Sequence, residues 1–107
     1  MPVAETLTAL ADPHRRRAVE MLAQGPSSAG ELAANLGLSP AALTRHLRVL
    51  RAAGLVDLRL DPADTRRHIY HVLPDPIEEL SDWSRQVTNF WQVQLASLTE
   101  LAGQDGR

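Results

Sequence analysis

The chain contains no cysteine. Disulfides and thiolate metal ligands are therefore excluded, and a reducing, cytoplasmic setting is expected. It also has no lysine: all eleven basic residues are arginine. The planar guanidinium fork suits bidentate contacts to phosphate and guanine. An arginine-favouring, GC-rich coding preference explains the same bias. No apolar run approaches the roughly 20 residues of a membrane span. The opening Met1-Pro2-Val3-Ala4-Glu5 has neither the basic nor the apolar region of a signal peptide. No membrane partner is expected. A glycine-rich phosphate loop, a metal motif and a nucleophile–base pair are also missing, so neither an enzyme nor a cofactor is expected. His68 and His71 beside Tyr70 come nearest to a proton-transfer cluster. A strand-edge or phosphate role suits them better.

What is present fits a soluble domain. The 107 residues, 44% hydrophobic and 22% charged, allow one modest core, so residues 1–107 are expected to form a single domain. The net charge of −2 is unevenly spread. Residues 39–73 hold six arginines (Arg45, Arg48, Arg51, Arg59, Arg66, Arg67) against Asp57, Asp61 and Asp64. Residues 74–107 hold two arginines against six acids. A polyanion needs a positive face, not a positive protein.

Periodicity orders the elements. Apolar Val3, Leu7 and Leu10 mark a short first helix. Asp12-Pro13 caps a second over 13–24, which Gly25-Pro26 stops. Ser28-Ala29-Gly30-Glu31 reads as a capping box, with the serine hydroxyl on the Glu31 amide and the Glu31 carboxylate on the Ser28 amide. Leu32, Ala33 and Leu36 then face inward, and Gly37 ends that helix. Ser39-Pro40 opens the next, over 39–53, with Leu43, Leu47 and Leu50 on one buried stripe and Gly54 as the stop. After Gly54 the period falls to two. Val56, Leu58 and Leu60 form one strand, Asp61-Pro62-Ala63-Asp64 a turn, and residues 67–72 the returning strand. Pro74-Asp75-Pro76 precedes a long helix, 76–102, striped with Ile77, Leu80, Trp83, Val87, Phe90, Trp91, Leu95, Leu98 and Leu101. At 1.5 Å per residue it spans roughly 40 Å, too long for a core this size. An overhanging aromatic stripe asks for a partner, most simply a second copy about a two-fold axis.

Two short, separately capped helices joined by Gly37-Leu38 match a helix-turn-helix. The second would enter the major groove of double-stranded DNA. Ala41 and Ala42 keep its leading face low, Thr44 and Arg45 have the reach for base edges, and His46 and Arg48 are assigned to phosphate. The hairpin over 57–70 becomes a wing, with Arg59, Arg66 and Arg67 along the backbone or in the minor groove. A solvated helix face would also carry Arg45, Arg48 and Arg51. The ordered set of caps, turn and wing is what favours DNA.

The stretch Leu10-Ala11-Asp12-Pro13-His14-Arg15-Arg16-Arg17 resembles the "LADPTRRR" opening of the ArsR/SmtB-type regulators. Ser28-Ala29-Gly30-Glu31-Leu32-Ala33, Leu38-Ser39-Pro40-Ala41-Ala42-Leu43-Thr44-Arg45-His46-Leu47-Arg48-Val49-Leu50, Ala53-Gly54-Leu55-Val56 and the wing Arg66-Arg67-His68-Ile69-Tyr70 are similar as well. The resemblance implies a mainly α fold with a small β-hairpin, ααααββα, and a homodimeric transcription regulator, usually a repressor, reading an inverted repeat. It implies a dimer interface from the first and last helices, here Val3, Leu7, Leu10, Trp83, Val87, Phe90, Trp91, Leu95 and Leu98. It places Ala42, Thr44, Arg45 and His46 at DNA-reading positions and Arg66 and Arg67 on the wing; Ser39 and Ala41, at the start of the same helix, are further DNA-contact candidates. Asp61-Pro62-Ala63-Asp64-Thr65 makes this wing longer and more acidic than the pattern.

The family's metal sites use a Cys-x-Cys pair on the first helix of the motif, or Asp and His on the last helix. Residues 31–36 hold no thiol and 76–102 no histidine, so the branch without metal-site cysteines is indicated and no metal site is expected. His14, His46, His68 and His71 read as scattered surface or DNA-contact residues. Three alternatives stand beside the main reading. One is a metal-responsive repressor built on an unanticipated His/Asp/Glu site. Another is a repressor with an apolar effector held by Trp83, Phe90 and Trp91. The last is an adaptor that has lost DNA binding.

Overall fold

A computed structural model describes residues 2–105. The elements run α1 (Pro2–Leu10), α2 (Pro13–Gln24), α3 (Ala29–Leu36), α4 (Pro40–Ala52), β1 (Val56–Leu60), β2 (His68–Val72) and α5 (Pro74–Asp105). This is the expected ααααββα order.

Local chemistry sets most boundaries. Asp12 Oδ1 accepts from the amides of His14 and Arg15 at 2.8 and 3.1 Å, and Pro13 fills the first helical position of α2. Ser28 Oγ accepts from the Glu31 amide, and Ser39 Oγ from the Ala42 amide, each at 3.2 Å. The α3–α4 turn depends on Gly37, whose φ of 66° lies in the left-handed region. There its amide and that of Leu38 reach back to the carbonyls of Ala34 and Ala33 at 3.4 and 3.0 Å. One half of the expected capping box does not form. The Glu31 carboxylate turns away from the Ser28 amide and accepts from Ser27 Oγ at 3.0 Å and from the guanidinium of Arg67. A charged partner outcompetes a backbone amide for it.

The core gathers Leu32, Leu43, Leu50, Leu55 and Val56, all at most 1% exposed, with Ala9, Ala18, Leu22 and Leu47. Each fully buried leucine stabilises the fold by about 1.5–3 kcal/mol. Against this core α1 turns Val3, Thr6 and Ala9, leaving Leu7 43% exposed. Of the Val3-Leu7-Leu10 stripe expected at a dimer interface, Val3 lies in this chain's own core, Leu10 is half-buried and Leu7 is exposed. The small Thr6 and Ala9 allow close approach, and the bulkier Leu7 points outward.

The strands pair antiparallel with Val56 opposite Val72 and Leu60 opposite His68. A third short edge was not foreseen. Ser27, between α2 and α3, exchanges both backbone hydrogen bonds with Tyr70 at 3.1 and 2.8 Å, so the connector is stitched to the hairpin.

Helix α5 starts at Pro74, two residues before the expected boundary. Both Pro74 and Pro76 lie in its first turn, where amides have no intrahelical acceptor, so neither ring costs a hydrogen bond. Ile77 and Leu80 are half-buried, and from Ser81 through Gly103 every residue is exposed. The radius of gyration is 19.8 Å, against about 13 Å for a compact chain of this length. The long axis reaches 73 Å because α5 projects beyond its own core.

Candidate nucleic-acid interface

Helix α4 separates two chemistries by its turn. With Leu43, Leu47 and Leu50 buried, residues at about 100° per step place Ala41, Thr44, Arg45 and Arg48 on the side away from the core. Ala41, Thr44, Arg45 and Arg48 are all exposed, and Ala42 is half-buried. Thr44 Oγ1 donates back to the Pro40 carbonyl at 2.8 Å. That bond fixes its rotamer and leaves its lone pairs outward. Ser39 serves as the α4 cap, with its residue exposed at the leading end.

Ion pairing sorts the six arginines of this region. Arg51 faces Asp57 at 3.6 Å, Arg66 faces Asp64 at 3.3 Å, and Arg67 pairs with Glu31. Among the described residues, Arg45, Arg48 and Arg59 make no salt bridge. The uncommitted cations thus lie on α4 and on β1. Between α4 and the hairpin runs an open groove of about 620 Å³ lined by Thr44, Arg48, Arg51, Asp57 and Tyr70 among others.

The acids of the hairpin tip are structural. Asp61 Oδ1 accepts from the Ala63 amide at 2.9 Å, and Asp64 Oδ1 from the Arg66 amide at 3.1 Å. The Asp61 amide donates to the Arg67 carbonyl at 2.8 Å, closing the loop. These side-chain turns account for the acidic wing: the carboxylates satisfy backbone donors at the bend.

His46 is half-buried and lies on the flank of α4 away from Thr44. Its ring centroid is 5.7 Å from that of His14, so these two histidines are neighbours and not scattered as the sequence suggested. Asp12 completes the group, its carboxyl held below the usual range by the Arg15 amide first and the His14 amide after it. On the last helix, Trp83, Val87, Phe90, Trp91, Leu95 and Leu98 are all exposed, Phe90 by 67% and Trp91 by 60%. Of the α1 residues assigned to an interface, Leu7 is exposed, Leu10 half-buried and Val3 buried in its own chain. Among the described residues, no helix is long and apolar enough to cross a membrane.

Capped helices at a glycine turn, an exposed polar face on the second helix and an adjoining hairpin define a winged helix-turn-helix protein. Residues 12–57 match the family model described as "Bacterial regulatory protein, arsR family". The HTH-type transcriptional regulator Rv2034 of Mycobacterium tuberculosis is 41% identical over 98 residues, covering 92% of this chain and 86% of that one. The biofilm growth-associated repressor of Agrobacterium fabrum is 47% identical over 57 residues, 53% of this chain and 49% of that one. The solved ArsR-like transcriptional regulator from Rhodococcus sp. RHA1 superposes with a TM-score of 0.80 at 27% identity, covering 94% of this chain and 92% of that one. The chain belongs to the ArsR family and is a transcriptional regulator, in a family that is not enzymatic.

Proposed function

We propose that the chain is a cytoplasmic, homodimeric repressor that binds an inverted-repeat operator through residues 39–53 and the wing 57–70. The observation that carries this reading is the free pair Arg45 and Arg48 beside Thr44 on the outer face of α4. Thr44 and Arg45 read base edges from the first turns of the helix. Arg48, Arg59 and Arg66 supply phosphate contacts, and Ala41 and Ala42 let the helix sit deep. Ser39, at the leading end, offers its hydroxyl proton to a phosphate while its oxygen remains the cap. Arg67, held by Glu31, positions the wing.

Dimerisation is supported by the apolar stripe of α5, whose residues from Trp83 to Leu98 fall within about 140° of the helix circumference. Leu7 and Leu10 extend the contact on α1. The whole chain then acts as one domain, with its first and last helices given to the two-fold interface. Two copies would present their reading helices about 34–36 Å apart, one turn of duplex. Repression is the output that fits a helix blocking promoter DNA, and two relatives carry the word repressor in their names.

Selection of sites from random duplex DNA, followed by fluorescence anisotropy across a salt series, tests the reading. A two-fold repeat should emerge, and with some 6–10 phosphate contacts affinity should fall by about 10³–10⁵ between 50 and 200 mM salt. Salt-independent or undetectable DNA affinity would favour an adaptor instead.

A further inference from the structure

Among the described residues, Asp12, His14 and His46 are the three side chains that bring metal-ligating atoms together, all within 4.8 Å of one another. We propose that they form a binding site for a zinc-class divalent transition-metal ion, joining the N-terminus of α2 to the flank of α4. The donor set is two imidazoles and one carboxylate, which suits zinc, nickel or cobalt over the oxygen-seeking calcium and magnesium. A tetrahedral ion with ligands at about 2.0–2.2 Å needs donor atoms roughly 3.5 Å apart. Contraction of about an ångström closes the gap, and exposed His14 has the room to supply it. Water takes the fourth position, as in open three-ligand sites.

The site is partly organised in advance. Both cap bonds of α2 use Asp12 Oδ1, which leaves Oδ2 for an ion. The adjacent Arg15 spends its guanidinium N–H groups on the carbonyls of Ala9 and Thr8 and makes no salt bridge to the carboxylate among the described residues. His46 is half-buried on a helix whose opposite face is locked into the core, and one of its ring nitrogens lies within 4.8 Å of ligating atoms of both His14 and Asp12. This site lies apart from residues 31–36 and from α5, where the family's metal ligands would fall.

Because His46 belongs to α4, occupancy would change DNA affinity, and this consequence alone rests on the proposed DNA-binding reading. An ion favouring one disposition of α2 and α4 is linked reciprocally to whatever that disposition binds.

The test titrates the metal-free full chain with zinc chloride against a chromophoric chelator. One ion per chain is expected. His14→Gln and Asp12→Asn should each weaken binding by about tenfold or more. Asparagine keeps the cap, so Asp12→Asn separates loss of charge from loss of helix. His71→Gln should change nothing. No binding, undiminished binding by both His14→Gln and Asp12→Asn, or loss of binding in His71→Gln overturns the site. Anisotropy with operator DNA, with and without zinc, is read in parallel. A chain that takes zinc but ignores DNA sinks the DNA reading and leaves the metal site standing. A chain that binds DNA but no zinc does the reverse.

Discussion

The guanidinium of Arg67 donates to the carboxylate of Glu31, joining the loop end of the wing to the first turn of α3 across 36 residues of chain. Ser27 Oγ donates to the same carboxylate at 3.0 Å, and the Ser27 backbone bridges to Tyr70. The wing is thus tied to the helix-turn-helix at one point by both charge and backbone. A hairpin carried this way has its angle to α4 set before DNA arrives.

Arg67→Ala should release that tie. Both side chains are about half exposed, so the pair stabilises the fold by only about 0.2–1 kcal/mol. Urea unfolding of Arg67→Ala, Glu31→Ala and the double variant should give a coupling of that size. DNA affinity should fall in Glu31→Ala too, although Glu31 is an acid. Tighter DNA binding by Glu31→Ala would show instead that the acid merely repels phosphate.

On α4, Arg45 and Arg48 should separate in kind. Arg45→Ala is expected to cost about 1–3 kcal/mol and relax preference at one base position. Arg48→Ala should weaken all sequences alike and lower the salt slope by about one. Competition assays with single-base operator variants distinguish the two. An Arg45→Ala protein with unchanged affinity and preference would remove α4 from the groove.

Phe90→Glu or Trp91→Glu should produce monomers in sedimentation velocity. Both rings are already exposed within one chain, so the charge disturbs no core of its own. Affinity for a full inverted repeat should collapse toward that for a half-site. Dimers that persist in both variants would place the interface elsewhere.

Gly37→Ala isolates the turn. An added Cβ meets nothing within 4 Å, so the cost is the left-handed backbone alone. That is about 1–2 kcal/mol for a residue with a side chain. Thermal unfolding should report the loss, with DNA contacts at α4 otherwise retained.

The legibility of these features follows the range of the forces behind them. Ser28, Ser39, Gly37 and Gly54 act on residues within one turn, and α2 and α4 lie where their caps predict. The leucines of α4 repeat at helical spacing, so the face opposite them was legible too. The capping-box pattern points Glu31 to a local amide, whereas its charged partner, Arg67, is 36 residues away. The Ser27–Tyr70 bridge escaped for the same reason, having no period to betray it. Arg51 and Arg66 read as free cations until Asp57 and Asp64 were placed beside them. Thr6 and Ala9 join Val3 on the buried face of α1, a use of small side chains at a close crossing that apolar periodicity does not reveal.

Sequence alone determined the order of helices and strands, their caps, and the polar face of α4, since hydrogen bonding within a turn and side-chain periodicity are short-range. Only the tertiary structure decided which arginines remain uncommitted, that the α2–α3 connector braces the wing, and that Asp12, His14 and His46 share one locality. The Arg67–Glu31 pair, the Ser27–Tyr70 bridge and the approach of His46 to Asp12 and His14 depend on distances between segments far apart in the chain. Arg66–Asp64 and Arg51–Asp57 are near in sequence and are decided by the geometry of the wing loop and of the passage from α4 into β1.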